Sequence, residues 1–549
     1  LALRNNALTI NHVKEERENM KKILILLLSV TLIFSLTSCG GSSANKDFEV
    51  NVCIASEPMT IDPALNSSVD GAIMLQHSFE GLMKWVNDGK GNAIIDKGQA
   101  ADYTVSDDGL VYTFTIRDDA KWSDGKPVVA GDFKYAWDRL VDPKTAADYG
   151  YIISDLNATW AAPDDKTFVV TLPNPCTYFL EICAFPATYP VREDIIKSAG
   201  DQWTFDPSTN IGNGPYKMSA WEHNSKITYV KNDQYYDYKN LGPAKINFYL
   251  MDDANAMLAA FNDGTLNFNE GYPIEEVDSL LASGQLKTAK YLGTYYVCFN
   301  TKDKIFKDPL IRKAFSLAID RNFIVDQITK TGEKPADAYV PPGISDVDGP
   351  SGKDFRTVGG SFYSVKAADY DANVKEAQAA LAEAGYPGGK GFPTVEYVYN
   401  TDSRHKAIAE ALQQMWEEKL GVKVTISNEE WGTFLETRKN GDYQIARNGW
   451  ISDFNDPISF IDMWHTGGGN NDAQYNNTTY DKLVDQVKSS TDNATRMTDM
   501  HKAEDILMKD NVVAPIFFYN QPYMVQGIDN WFYTPLGYFF FSYATPSDK

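Results

Sequence analysis

One helix that runs directly into a strand restricts the fold of this chain more than any other stretch. Over about residues 404–420 the apolar side chains Ile408, Leu412, Met415 and Trp416 recur at helical spacing, Gly421 ends the pattern, and residues 422–426 read as a strand. A helix delivered straight to a strand is the building unit of an α/β lobe. Elements of the same kind surround it. Asp308-Pro309-Leu310-Ile311 opens a helix with an N-cap aspartate and proline at its first position, and Ala314, Phe315 and Ala318 continue its apolar face. Residues 371–384 form another helix, stopped by Gly385-Tyr386-Pro387-Gly388-Gly389. Residues 111–117 alternate as a half-buried strand, and 226–230 and 246–250 read as further strands. A chain of 549 residues exceeds what one core supports, so two or three lobes are expected. Turn-rich residues 190–214 and the stretch 291–294 are the places where the chain should cross between them.

The N-terminal region carries a processing signal. Met20-Lys21-Lys22 precedes fourteen mostly apolar residues, 23–36, and then Leu36-Thr37-Ser38-Cys39-Gly40. Charged head, apolar stretch and small residues in this order describe an export signal. Fourteen residues of helix rise about 21 Å, short of a bilayer core of about 30 Å, which argues against a membrane span. Leu-Thr-Ser-Cys resembles a bacterial lipobox, which implies cleavage before Cys39 and a diacylglycerol on its thiol. Residues 20–38 then form a lipoprotein signal peptide and 39–45 a flexible tether, while 1–19 read as a non-native upstream extension. The formal charge of −23, from 51 Lys+Arg against 74 Asp+Glu, argues against nucleic acid and against adhesion of the folded body to an anionic membrane.

Enzyme signatures are missing. The chain has no G-x-S-x-G elbow, H-E-x-x-H pair, Walker A loop or G-x-G-x-x-G turn. No cofactor and no metal site is expected. Cys53, Cys176, Cys183 and Cys298 match no zinc spacing. Cys176 and Cys183 could pair if the chain turns back between them, and could not if one helix separates them.

The stretch Arg447-Asn448-Gly449-Trp450-Ile451-Ser452-Asp453-Phe454-Asn455-Asp456-Pro457 follows a strand-like run from Tyr443. On an extended backbone the even spacing puts Arg447 and Asp453 on one side, offering a positive and a negative group to one zwitterionic ligand. The competing reading is an edge strand that runs into an Asn-Asp-Pro turn.

A wider pattern adds to this. Arg117-Asp118-Asp119-Ala120-Lys121-Trp122-Ser123-Asp124-Gly125-Lys126-Pro127-Val128-Val129-Ala130-Gly131-Asp132-Phe133 reads locally as a strand, a turn and a helix capped by Asp132, with Trp122 structural. It also resembles the signature of the family 5 extracellular solute-binding proteins of ABC importers. Glu57 to Pro63, Phe79 to Leu82, Leu292 to Tyr296, Asp308 to Arg321, Asn400 to Lys406, Glu430 to Arg438 and the 447–457 stretch resemble, collinearly, the oligopeptide-binding branch of that family. The resemblance implies an α/β, two-lobed periplasmic-binding-protein-like fold (type II, cluster C) with an extra inserted domain. Lobe I would comprise 46–79, 204–291 and 520–549, the extra domain 80–203, and lobe II 292–519.

The resemblance also implies roles. Asp453 would bind the peptide ammonium, and Arg447 and His405 the peptide carboxylate, with Arg438 a further cation. Trp431 would line a side-chain pocket and Tyr519 the lobe crossing. Backbone around Gly449 and Ile451, with Ser67 and Val69 opposite, would hydrogen-bond the peptide as an added strand. Taken singly, His405 reads as a cap or surface residue and Trp431 as core. The sequence departs from the family where Thr329, beside Lys330, replaces a carboxylate-binding lysine. Cys298 replaces a glutamate, and Ile451 a cysteine. The expected protein is a monomeric, lipid-anchored, extracytoplasmic receptor that hands oligopeptides to a permease and its ATPase subunits. Alternatives are the same scaffold with a nickel chelate, haem, dipeptide or oligosaccharide, or an extracellular hydrolase.

Overall fold

The computed structural model describes residues 48–547 apart from residue 56. The expected signal peptide, Cys39 and the tether lie outside the described residues. The chief element is an eleven-stranded sheet. Ten of its strands are β1 (Glu49–Ala55), β2 (Tyr216–Glu222), β3 (Lys226–Lys231), β4 (Lys245–Leu250), β5 (Phe268–Asn269), β6 (Leu286–Phe299), β7 (Val395–Asn400), β8 (Val424–Glu429), β9 (Ile445–Ile451) and β10 (Val513–Val525). They lie in the order β8-β7-β9-β6-β10-β5-β1-β4-β3-β2, and the short strand Lys334–Pro335 adds to β10. Parallel pairs occur toward each side, β8-β7-β9 and β5-β1-β4, as helix-to-strand crossovers require. Between them β6 and β10 run antiparallel as strands of 14 and 13 residues, long enough to serve both halves.

The register of that pair breaks in the middle. Lys290 faces Asn520 and Thr294 faces Phe518, so Tyr291, Leu292 and Gly293 stand against the single Tyr519. The expected turn at 291–294 is therefore a bulge inside a continuous strand, because the residues on both sides of it stay paired with β10. Gly293 is required there, since a Cβ would strike Ile451 and the Trp450 carbonyl. The other expected crossing also differs. Residues 190–214 begin with a helix, Glu193–Ala199, favoured by Glu193 and Asp194 in its first turn and Lys197 in its last. The turns are confined to the part after it.

The remaining elements follow the sequence closely. α1 (Val69–Ser78) starts at the N-cap Ser68. α2 (Ser403–Leu420) buries Ile408, Leu412, Met415 and Trp416, and Gly421 ends it at φ 70°. α3 (Trp431–Asn440) follows β8. Asp308 caps its helix by accepting the Leu310 N–H at 2.9 Å. Phe299, Phe315, Tyr397, Trp416 and Ile445 share one core on the α2 side of the sheet. A separate four-stranded antiparallel sheet built from residues between β1 and β2 is ordered Ala100–Val105, Val111–Ile116, Thr167–Thr171, Thr159–Ala161.

One local expectation needs correction, and one open question is answered. Asp132 is not the N-cap of its helix, which spans Ala130–Val141 after Val129. Its carboxylate reaches back from the first turn to the Val129 N–H and the Trp122 indole N–H, each at 3.0 Å. Trp122 itself is fully buried, as expected of a structural residue. Cys176 and Cys183 are both free thiols, with the short helix Phe179–Ile182 between them.

One buried ion pair ties the helix Ala130–Val141 to the loop that follows β1. Asp62 accepts from both Arg139 terminal nitrogens at 2.8 and 2.6 Å and from the Trp203 indole at 2.8 Å. Removing one partner strands a carboxylate that is 1% exposed. Arg139→Met is expected to cost about 3 kcal/mol in chemical denaturation, and Arg139→Lys, which keeps the charge but loses the paired geometry, clearly less.

Candidate functional site

A cavity of about 390 Å³ opens where β9, the bulge and the N-terminus of α2 meet, and all ten candidate ligand-binding residues line it: Ser67, Val69, His405, Trp431, Arg438, Arg447, Gly449, Ile451, Asp453 and Tyr519. The structure thus gathers residues that lie as far apart in the sequence as Ser67 and Tyr519. β9 forms the wall. Its burial alternates, with Asn448 and Trp450 turned into the protein and Arg447, Gly449 and Ile451 half exposed toward the cavity. The Ser452 N–H donates to the Leu292 carbonyl at 2.8 Å, so by alternation the even-numbered residues of β9 bond to β6. On the other edge β7 pairs only with Ile445 and Ala446. Backbone groups of Arg447, Gly449 and Ile451 therefore face an edge that no strand covers, where the Gly449 N–H donates to Asn448 Oδ1 at 2.8 Å. Gly449 lets Tyr519 close in, because a Cβ would collide with its hydroxyl.

Asp453 lies beyond the strand, which ends at Ile451. The even-spacing argument for Arg447 and Asp453 therefore fails, since alternation stops before Asp453. The two reach one cavity because residues 452–457 bend back toward it. Asp453 is 6% exposed. It accepts hydrogen bonds from Tyr149 Oη at 3.0 Å and Ser459 Oγ at 3.1 Å. Among the described residues no Lys, Arg or His stands within ion-pair distance. Burial pushes its carboxyl up to about 7; the two hydroxyls pull it down, and Asp462 adds to the rise. This is an acceptor shaped for a cation that the described residues do not supply.

The opposite chemistry sits at the start of α2. Arg447 donates to the Tyr519 hydroxyl at 3.2 Å and lies 5.1 Å from the centre of the Tyr295 ring, with no carboxylate in ion-pair range among the described residues. His405 follows the cap Asp402, which takes its N–H at 2.8 Å, so that backbone donor is already used. Its Nδ1 is 3.3 Å from the Tyr295 hydroxyl. Burial, then the nearby Arg447 and Arg404, hold its pKa well below the usual value, leaving a neutral ring. Arg438 is engaged internally, with Asp472 at 3.6 Å and a hydrogen bond to Asn448 Oδ1. Trp431 is the first residue of α3, half-buried, with its ring 6.3 Å from Phe434. Ser67 precedes the α1 cap, and Val69 is the first helical residue, so this wall is a helix start and not a facing strand. Thr329 is buried against Glu333, and Lys330 ion-pairs with Asp278 at 2.8 Å; neither lines the cavity.

The sequence profile described as bacterial extracellular solute-binding proteins, family 5 (middle), matches residues 95–472. The chain belongs to this family. It is 35% identical over 542 residues to the oligopeptide-binding protein OppA of Bacillus subtilis, covering 92% of this chain and 96% of the relative. The dipeptide-binding protein DppE of the same organism is 34% identical over 556 residues, 95% and 98% of the two chains. The structure of Haemophilus influenzae OppA in complex with RPPGFSPFR superposes with a TM-score of 0.85 at 28% identity, covering 92% of this chain and all of that one. The fold is thus the two-lobed α/β type II binding-protein fold. Among the described residues no cluster could hold a metal ion, and no helix is long and apolar enough to cross a membrane.

Sequence reading missed the groups that set the site's electrostatics. Tyr149, from the inserted segment, and Ser459 come from stretches without a motif. Arg404 was in plain view beside His405 and lines the cavity. The raised carboxyl of Asp453 has a consequence for stability. A folded value near 7 against about 3.9 unfolded means that ionised Asp453 opposes folding, with the penalty absent below about pH 4 and complete above about pH 7. Asp453→Asn is therefore expected to stabilise the ligand-free protein by about 3 kcal/mol at pH 8 and by clearly less at pH 5, read from urea titrations at both values.

Proposed function

We propose that this chain is the substrate-binding lipoprotein of an ABC importer and that its cargo is an extended peptide with free termini. The observation that carries this is the pairing of opposites in one cavity. A buried carboxylate without a cation stands at one end, guanidinium groups without carboxylates stand at the other, and an uncovered strand edge runs between them. Asp453 takes the peptide ammonium, Arg447 serves the carboxylate end, and the Arg447, Gly449 and Ile451 backbone pairs with the peptide main chain, helped by Ser67 and the free N–H of Val69. Reading the backbone and the termini leaves side chains unselected, and Trp431 lines room for them. Tyr519 sits at the crossing about which the lobes close. The lobe limits that fit are 46–79, 204–291 and 520–549 against 292–519, with 80–203 inserted; the bulge at Lys290/Thr294 opposite Phe518/Asn520 supports the two limits near it. Cys39 carries the lipid that holds the monomer outside the cytoplasmic membrane, on its periplasmic face in a two-membrane cell, within reach of the permease and its ATPase subunits.

Binding energy enters through Asp453. An ammonium that meets an already ionised, water-poor carboxylate gains a strong pair. Below about pH 7 the carboxyl must first lose its proton. Calorimetry with an oligoalanine series is expected to show affinity falling as pH drops from 8 to 6, with close to one proton released per peptide bound at pH 6. N-acetylation, or Asp453→Asn, should weaken binding at least a hundredfold, about 3 kcal/mol, and abolish the proton release. Equal affinity for acetylated and free peptides refutes the assignment. A dipeptide cargo is the second reading, favoured by the similarity to DppE. Native mass spectrometry of the protein as purified separates the two by the mass carried, and intact peptide after prolonged incubation would dispose of a hydrolase.

A further inference from the structure

We propose that Arg404, and not His405, is the residue that decides which peptides have their C-terminal carboxylate fixed in the cleft. The proposal rests on the peptide reading above and deepens it.

Five basic residues line the cavity: Arg404, His405, Arg438, Lys439 and Arg447. Three of them have no charge to offer a ligand. Lys439 pairs with Asp148 at 2.8 Å, Arg438 with Asp472, and His405 is held neutral. Thr329 brings no charge, and Lys330 is paired with Asp278 outside the cavity. Arg404 and Arg447 remain, neither within ion-pair range of a carboxylate among the described residues.

The two arginines differ in their setting. Arg447 is braced by tyrosines, donating to Tyr519 and lying over Tyr295. Arg404 is the second helical residue of α2, after the cap Asp402, and spans to the wall contributed by residue 272. Its Nη1 donates to the Tyr272 hydroxyl at 3.2 Å, which is the one hydrogen bond it makes among the described residues. The planar guanidinium carries five donors, so Nε and Nη2 stay available for a carboxylate in the paired geometry. No carboxylate cancels it at ion-pair distance among the described residues: Asp402 and Glu333 act on it from farther away, and on the facing wall burial pushes the Glu270 carboxyl up to about 8. Tyr272 fixes the guanidinium only when both walls are close together, so the seat is complete only in the closed cleft. A peptide whose carboxylate falls short of Arg404, or runs past it, gains nothing from this group. Arg404 thereby selects on length and on a free C-terminus.

The test is calorimetry with free-acid and C-terminally amidated peptides of two to five residues, on wild type, Arg404→Met, Arg404→Lys and Arg447→Met, with thermal melts confirming folded protein. At one length or more, amidation is expected to cost wild type about tenfold or more in affinity. Arg404→Met should bring acid and amide within about twofold of each other by lowering only the acid's affinity, and Arg404→Lys should keep part of the gap. Two results overturn the proposal: Arg404→Met weakening acid and amide alike, which marks a structural bridge to Tyr272, or Arg404→Met leaving the gap intact while Arg447→Met erases it. Wild type that binds peptides but ignores amidation at every length sinks it together with the carboxylate end of the reading above, and leaves the ammonium end at Asp453 standing. Wild type that binds no peptide sinks the reading beneath it.

Discussion

The pairing of β6 with β10 is the constraint on which the rest of the molecule depends. Two strands of 14 and 13 residues pass through both halves of one sheet, so the halves share a hydrogen-bonded backbone instead of a flexible linker. Such a ladder resists sliding and shear, and its weak point is the bulge where three residues face one. Tyr519 stands at that point and touches Arg447, so the place where the lobes can flex is also the floor of the cavity. β9 inherits its position from β6. Because β7 covers only its first residues, an uncovered edge results, and that edge faces a cavity. An exposed edge on a protein's surface invites pairing with other chains. Inside a cleft the same edge is reachable only by something as narrow as a single extended strand.

The cavity's charges oppose the fold's own stability. Asp453 is buried without a cation, and Arg447 is largely enclosed without an anion, both of which cost free energy in the empty protein. The chain offsets part of this locally. Tyr149 and Ser459 hydrogen-bond the carboxylate, and aromatic rings surround the guanidinium. Tyr149 has a second consequence. It comes from the inserted segment, while Asp453 follows β9, so their contact joins the two sides of the cleft. Lys439 with Asp148 and Lys488 with Asp155 join the same two regions through ion pairs at 2.8 and 2.7 Å. These contacts hold the two regions together without a ligand.

Much of this was legible in the chain, and the reasons differ by element. Helices with a cap and a stop, such as the one after Asp308 and the one ending at Gly421, were readable because their signals are local. The bulge at Tyr291-Leu292-Gly293 was misread as a turn, because a glycine among aromatics looks the same whether it breaks a strand or lets two strands approach. Asp132 was misplaced by three positions because a capping carboxylate and one reaching back from the first turn have the same composition. The candidate residues of the cavity were gathered by collinear resemblance, not by any one motif. The partners that tune them, Tyr149, Ser459 and Tyr272, could not be found that way. Their roles arise from contacts between segments hundreds of residues apart.

His405 shows what a resemblance transfers and what it does not. It brings a histidine to the same place at the start of a helix, but not the histidine's charge. Here the preceding residue is Arg404, Arg447 stands nearby, and the ring is buried, so desolvation and two like charges favour the neutral form against the pull of Asp402. A neutral imidazole can orient a carboxylate with one hydrogen bond but cannot balance it. With Thr329 in place of a lysine, the positive end of the cavity depends on arginines, whose charge survives burial. In the proposed peptide reading, the carboxylate end is therefore insensitive to pH over the range where the ammonium end, through Asp453, responds to it.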